Sequence, residues 1–194
     1  LESVRILRFF GRHLRRSNRE YGTPGKRPGG VIFMEQIDKQ PFSIRLANKE
    51  DAWAMYQVEK NSFATPWSYD SFAENVRHGL SVYFLAEYAG QVVGFGGMLI
   101  VMEEAHIMNV AVLPNFRKKG IGRALLQAMI AEAGRRNASA MFLEARVSNQ
   151  IARSLYRSAG FAEIAIRKEY YTDTREDAVI MRLEIGEQEP LQTS

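Results

Sequence analysis

The sequence predicts one mixed α/β domain of the α+β kind, a central β-sheet flanked by helices, over residues 42–188. Three observations carry this. Strand-like apolar runs and helix-like periodicities follow one another in the order β-α-α-β-β-β-α-β-α-β-β, without an internal repeat. Apolar residues at 121, 124, 125, 128 and 129 form the stripe of a helix with one buried face. The 194 residues suffice for one well-buried domain and not for two full ones.

The elements read off in chain order. Phe42-Ser-Ile-Arg-Leu alternates as a short strand, and Asn48 is placed to cap a helix through Met55, Val58 and Phe63. Thr65-Pro66-Trp67-Ser68 breaks it, and Ser68 opens a second helix carrying Phe72, Val76 and Leu80. Strands are expected at 81–88 and 91–101 around a tight turn at Ala89-Gly90, and at 105–113 before Leu113-Pro114-Asn115. The helix 121–133 follows, then a strand at 141–147. Asn149 caps a helix through Ser158, with Gly160 at its left-handed C-terminal cap. Strands at 161–167 and 178–185, joined by a loop from Lys168 to Asp177, complete the domain.

Outside it, residues 1–33 form a basic leader, 34–41 a linker and 189–194 a tail. The leader holds eight Lys or Arg against two acids, which leaves 18 basic and 20 acidic residues in 34–194. The high isoelectric point therefore belongs to the leader, and the body gives no argument for nucleic-acid binding. The leader ends in the Gly/Pro-rich YGTPGKRPGG, a linker composition. Read functionally it is a membrane-surface or ribosomal RNA anchor, or a transit peptide. The reading preferred here is that it is non-native, with translation starting at Met34. Composition changes there, and Gly29-Gly30-Val31 is encodable by a message containing a bacterial ribosome-binding sequence. No cysteine is present, which excludes disulfides, thiolate metal sites and a cysteine nucleophile. His13, His78 and His106 make no HExxH-type pair, so no metal is expected. The longest apolar run, Val92 to Met102, falls well short of the roughly 20 residues needed to cross a bilayer.

The chemistry concentrates in Met108-Asn-Val-Ala-Val-Leu-Pro-Asn-Phe-Arg117-Lys-Lys-Gly120-Ile-Gly122-Arg-Ala-Leu-Leu. A Gly-rich turn running straight into a helix presents successive backbone N–H groups, and with the helix dipole these cradle an anion. Gly120 and Gly122 admit close approach, and Arg117, Lys118, Lys119 and Arg123 reinforce the field. A pyrophosphate suits such a turn. Neither GxGxxG nor GxxxxGK[ST] is present, so the dinucleotide and P-loop fingerprints do not apply.

Arg-x-x-Gly-x-Gly between a short strand and an amphipathic helix resembles the acetyl-CoA pyrophosphate motif of the GNAT superfamily. Phe142-Leu-Glu144-Ala-Arg-Val-Ser-Asn149, Ala152-x-x-Leu155-Tyr156-x-x-x-Gly160-Phe161 and Arg167-x-x-Tyr170-Tyr171 extend the likeness, as does Glu176-Asp177-Ala178-Val-Ile-Met181. With Pro66-Trp67-Ser68 the set, covering about Ile44 to Leu183, resembles the bacterial RimI-type ribosomal-protein N-alpha-acetyltransferases.

That resemblance implies a GNAT fold with a splayed strand pair in its mixed sheet. It implies acetyl-CoA as cosubstrate and the N-terminal α-amino group of a small-subunit ribosomal protein as acceptor. A cytoplasmic enzyme is implied too, with no membrane and no direct nucleic-acid role. Glu144 becomes the general base and Tyr156 the general acid. The chemistry agrees: an α-ammonium of pKa ~7.7–8.0 must lose a proton, and a phenol of pKa ~10 can protonate a leaving thiolate. Val110, Ala111 and Val112 pair with the pantetheine, and Arg117, Lys118, Lys119, Gly120, Ile121, Gly122 and Arg123 hold the pyrophosphate. Asn149 also contacts the cofactor. Phe63, Pro66 and Trp67 form one wall of the peptide site and Tyr170 and Tyr171 the other.

Plainer readings stand beside these. Glu144 also fits an exposed edge-strand carboxylate or a partner of Arg146, and Tyr156 a core aromatic. Glu104 and His106 are the competing bases. A relative acting on lysine side chains or small amines, and a non-catalytic acyl-CoA-binding or ribosome-associated module, share the fold. Without cysteine the simple route is direct transfer in a ternary complex.

Overall fold

Strand alternation and helix caps place the elements in the predicted order. The computed structural model describes residues 42–78 and 81–186. The expectations for the leader, the linker, the tail, Leu80 and residues 187–188 lie outside these residues. The strands are β1 (Ser43–Leu46), β2 (Ser81–Tyr88), β3 (Gln91–Val101), β4 (Glu104–Val112), β5 (Ala140–Arg146), β6 (Ala162–Tyr171) and β7 (Glu176–Glu184). The helices are α1 (Ala52–Lys60), α2 (Tyr69–His78), α3 (Ile121–Arg135) and α4 (Gln150–Ser158).

One seven-stranded sheet runs in the order β1-β2-β3-β4-β5-β7-β6. Pairing is antiparallel except between β4 and β5. Because successive strand residues point to opposite faces, two cores form. On one face Leu125, Leu126 and Met129 of α3 pack with Phe84, Met98 and Met141. On the other, Met55 of α1 and Phe72 of α2 pack with Leu85 and Phe95. Each of these buried side chains contributes about 1.5–3 kcal/mol of transfer free energy, which fixes the helices on the sheet.

Local chemistry sets the junctions. Asn48 caps a single 3-10 turn, Lys49–Asp51, which leads into α1, and its capping box uses Asp51. Arg45 of β1 ties this turn to the sheet, bonding Asp51 at 2.7 Å and Glu87 at 2.9 Å. The helix expected through Phe63 ends earlier, at Lys60, where the amides of Ser62 and Phe63 both turn back onto the Glu59 carbonyl. Ser68 accepts from the Ser71 amide at the head of α2, and Gly160 closes α4 at φ +97°.

Two departures from regular pairing matter for the site. β4 and β5 pair only over Glu104–His106 and Ala140–Phe142, and then diverge. β4 also carries an extra residue, Met108, between the pairs Gly97–Asn109 and Met98–Ile107, a bulge that re-aims the rest of the strand. A third feature corrects the expected loop at 168–177. β6 continues to Tyr171 through a register shift at which Glu169 takes φ +48° and its amide donates to Asp177. Tyr170 and Tyr171 therefore end a strand, and the turn is confined to 172–175.

Candidate active site

Where β4 and β5 part, a cavity of about 490 Å³ opens. Its floor is Ile107 to Val110 of β4 and Leu143 to Arg146 of β5. The loop after α1 lines the cavity with Ser62, Phe63 and Trp67, α4 with its cap Asn149 and with Tyr156 of its last turn, and the β6–β7 hairpin with Tyr171.

Glu144 lies on this floor with its side chain 19% exposed and Arg167 Nη1 3.4 Å from its Oε1. Burial pushes its carboxyl above the ordinary range, and the Arg167 charge opposes that shift. The alternative pairing with Arg146 does not occur, because Arg146 turns to Asp173 and Glu176. Tyr156 projects from α4 into the same cavity, 9% exposed, with its ring 5.9 Å from that of Phe161. Asn149 lines the cavity while its side chain accepts from the Ala152 amide, so it caps α4 as well. The competing bases lie at the closed end of the strand pair: His106 Nε2 is 3.3 Å from Glu104 and its ring stacks on Phe142. Burial holds the His106 imidazole below its ordinary pKa, against the pull of Glu104.

The anion cradle takes shape at the end of β4. Gly120 adopts φ +83°, which turns the chain into α3, and no side chain caps that helix. The first intrahelical bond is Ala124 N–H to Gly120 O, so the amides of Ile121, Gly122 and Arg123 precede it and remain for an anion. A Cβ on Gly122 would meet only Leu155, at 3.4 Å, so the protein itself leaves its outer side open. The basic side chains are exposed and have secondary contacts: Arg117 Nε donates to Val112 O, Lys119 lies over Phe116 and Arg123 reaches Ser158 at 3.4 Å. Because β4 leaves β5 after His106, no β5 residue pairs with the β5-facing backbone edge of Val110, Ala111 and Val112 between the cradle and the cavity, and Arg117 holds the Val112 carbonyl there. A long ligand with an anionic end and amide groups fits this path. Among the described residues no group of three or more His, Asp or Glu is arranged to hold a metal, and no helix is long and apolar enough to cross a membrane.

Residues 46–161 match the acetyltransferase (GNAT) family. The chain belongs to the GNAT acetyltransferases. The [ribosomal protein bS18]-alanine N-acetyltransferase of Escherichia coli (strain K12) is 41% identical over 138 residues, 70% of this chain and 93% of that protein. An N-alpha-acetyltransferase of Sulfurisphaera tokodaii is 32% identical over 162 residues, covering 77% and 96%. The crystal structure of the E. coli ribosomal-protein-S18-alanine N-acetyltransferase superposes with a TM-score of 0.70 at 37% identity, over 79% of this chain and 99% of that one. GNAT enzymes use acetyl-CoA as cosubstrate.

Within this GNAT domain the cavity gathers Phe63, Trp67, Val110, Glu144, Asn149, Tyr156 and Tyr171 of the residues expected at the site. Pro66 and Tyr170 are not brought to it. Pro66 is exposed on its loop, and Tyr170 is buried against Tyr171 and Ala178, with Arg167 5.1 Å from its ring. Trp67 is mainly core, packed on Phe72, and meets the cavity by its edge. Several lining residues were not anticipated: Glu59, Asn109, Arg146, Asp173 and Glu176. Two carried a signal. Asn109 interrupts the apolar run Ile107-Met-Asn-Val-Ala-Val, and Glu59 falls on the buried stripe of α1 four residues after Met55. The other three depend on contacts made 27–30 residues apart, which no local pattern reveals.

Proposed function

We propose that this protein transfers the acetyl group of acetyl-CoA to the N-terminal α-amino group of a protein, with a ribosomal protein as acceptor. The carrying observation is the cavity at the open end of β4–β5, lined by the half-buried carboxylate of Glu144 and the phenol of Tyr156. The names of the E. coli and S. tokodaii relatives support the acceptor class. A ribosomal-protein acceptor places the reaction in the cytoplasm.

Each residue then has a task. The amides of Ile121, Gly122 and Arg123 hold the pyrophosphate, aided by the field of Lys118, Lys119 and the neighbouring arginines. The open edge of Val110–Val112 orients the pantetheine, and the coenzyme supplies an acetyl thioester when bound. Glu144 takes a proton from the incoming ammonium; burial raises its pKa and so makes it a stronger base than an ordinary carboxylate, and the nearby Arg167 charge favours its ionised form. As the freed amine bonds to the acetyl carbon and the C–S bond breaks, Tyr156 would give its phenolic proton to the departing sulfur. Phe63, Trp67 and Tyr171 flank the acceptor chain and exclude water.

A panel of peptides tests this, with coenzyme A release and intact mass as readouts. One peptide begins with the mature N-terminus of ribosomal protein bS18, and a second is the same peptide with a blocked N-terminus and a free lysine. Turnover on the free N-terminus alone is expected. Preferential acetylation of the lysine would transfer the assignment to a side-chain acetyltransferase, and coenzyme binding without turnover to a binding module.

A further inference from the structure

Arg146 lies two residues beyond Glu144 on β5 and so shares its face of the strand. Its side chain is only 19% exposed. Nη2 forks onto Asp173 at 2.8 and 3.0 Å, and Nη1 reaches the Thr174 hydroxyl at 2.7 Å and Glu176 at 3.3 Å. The guanidinium lies 4.0 Å from the centre of the Tyr171 ring. Every one of these partners lines the cavity, and all belong to the β6–β7 hairpin. Glu176 extends the link, accepting from the Ser148 amide at 2.7 Å beside the Asn149 cap. Arg146 thus ties the turn end of the hairpin, from Tyr171 to Glu176, to the floor of the cavity, beyond the point where the β5–β7 ladder stops.

We infer that Arg146 is a positioning residue: it pins the β6–β7 hairpin, and Tyr171 with it, as the acceptor-side wall, and thereby sets affinity for the acceptor peptide. Charge makes one cation necessary there, since Asp173 and Glu176 approach the floor together and repel each other without it. Geometry makes arginine necessary. A planar fork can serve Asp173, Thr174 and Glu176 at once while stacking on Tyr171, whereas a lysine ammonium is a single point charge. The coenzyme path along β4 and α3 meets this network only at its margin, where Ser148 adjoins Asn149. The assignment rests on reading the cavity as the acceptor site.

Steady-state kinetics on an N-terminal peptide, with acetyl-CoA affinity from calorimetry, separate the roles. Arg146→Gln and Arg146→Lys should both raise peptide KM about 10-fold or more, with kcat and acetyl-CoA affinity near wild type. Asp173→Asn, at an exposed partner, should raise KM in the same direction, and adding it to Arg146→Gln should cost little more. Amide exchange in residues 172–177 should quicken in each variant. Unchanged peptide KM in Arg146→Gln or in Asp173→Asn, full rescue by Arg146→Lys, or an equal loss of acetyl-CoA affinity would overturn the assignment. The failures are distinguishable: no wild-type turnover on any peptide sinks the acceptor reading and this assignment with it, whereas wild-type turnover with unaltered KM in the variants sinks this assignment alone.

Discussion

The two ends of the β4–β5 pair differ in what their backbones do. At the closed end Glu104, Ala105 and His106 pair with Ala140, Met141 and Phe142, and the polar side chains satisfy one another. At the open end the ladder stops, β4 bulges at Met108, and Glu144 is left on the floor of a cavity with Arg167 beside it. Each end has a carboxylate that sequence alone admits as the base. The environment separates them: Glu104 is 55% exposed on its side chain and tied to a histidine, while Glu144 is only 19% exposed and desolvation raises its pKa. A carboxylate with a raised pKa thus stands where pairing between β4 and β5 has ended, the setting proposed here for the proton acceptor.

Substitutions can break or sharpen that contrast. The largest effect is expected at the open end, where Glu144→Gln should cut kcat by about 10²–10⁴ with acetyl-CoA affinity nearly unchanged, as stopped-flow turnover and calorimetry would measure. Gly122→Val should come next. A branched side chain in front of the Ile121–Arg123 amides should weaken acetyl-CoA about 100-fold, the loss of one or two charge-assisted hydrogen bonds at about 1.5–3 kcal/mol each, and calorimetry reads it directly. Tyr156→Phe should slow turnover by about 10²-fold or somewhat less, with the thermal midpoint within a few degrees, because only the hydroxyl is removed. The smallest effect belongs to the closed end. Glu104→Gln should leave kcat within about twofold, since an exposed carboxylate paired with one histidine contributes little. A larger fall there than at Glu144 would reverse the comparison.

The same contrast explains what sequence reasoning reached. The seven strands, the caps at Asn48, Ser68 and Asn149, and the uncapped glycine turn into α3 rest on local rules, and the structure has them. The family resemblance singled out Glu144 and Tyr156, and the structure brings both to one cavity. The divergence of β4 from β5 was not legible from the residues, because apolar alternation along β4 is alike in its paired and unpaired stretches. Nor was the continuation of β6: Lys168 to Tyr171 is polar enough to read as a loop, yet the bond from the Glu169 amide to Asp177, the Lys168–Asp177 ion pair and the Tyr171–Glu176 pairing hold it beside β7. The Arg146 network escaped for the same reason, since its partners meet only once the hairpin has folded.

We propose that Glu144, at the open end, is the carboxylate that governs turnover. The pH dependence of kcat for a free N-terminal peptide, in wild type and in Arg167→Gln, tests this most directly. Glu144 must be ionised to accept a proton, so turnover is lost as pH falls through its pKa, which burial has already raised. Arg167 is the neighbouring charge that lowers that pKa. Removing it should move the acid limb of the profile to higher pH, over a range of about pH 5 to 9, while the plateau above it persists. An acid limb that stays where it was, with turnover otherwise intact, would contradict the claim.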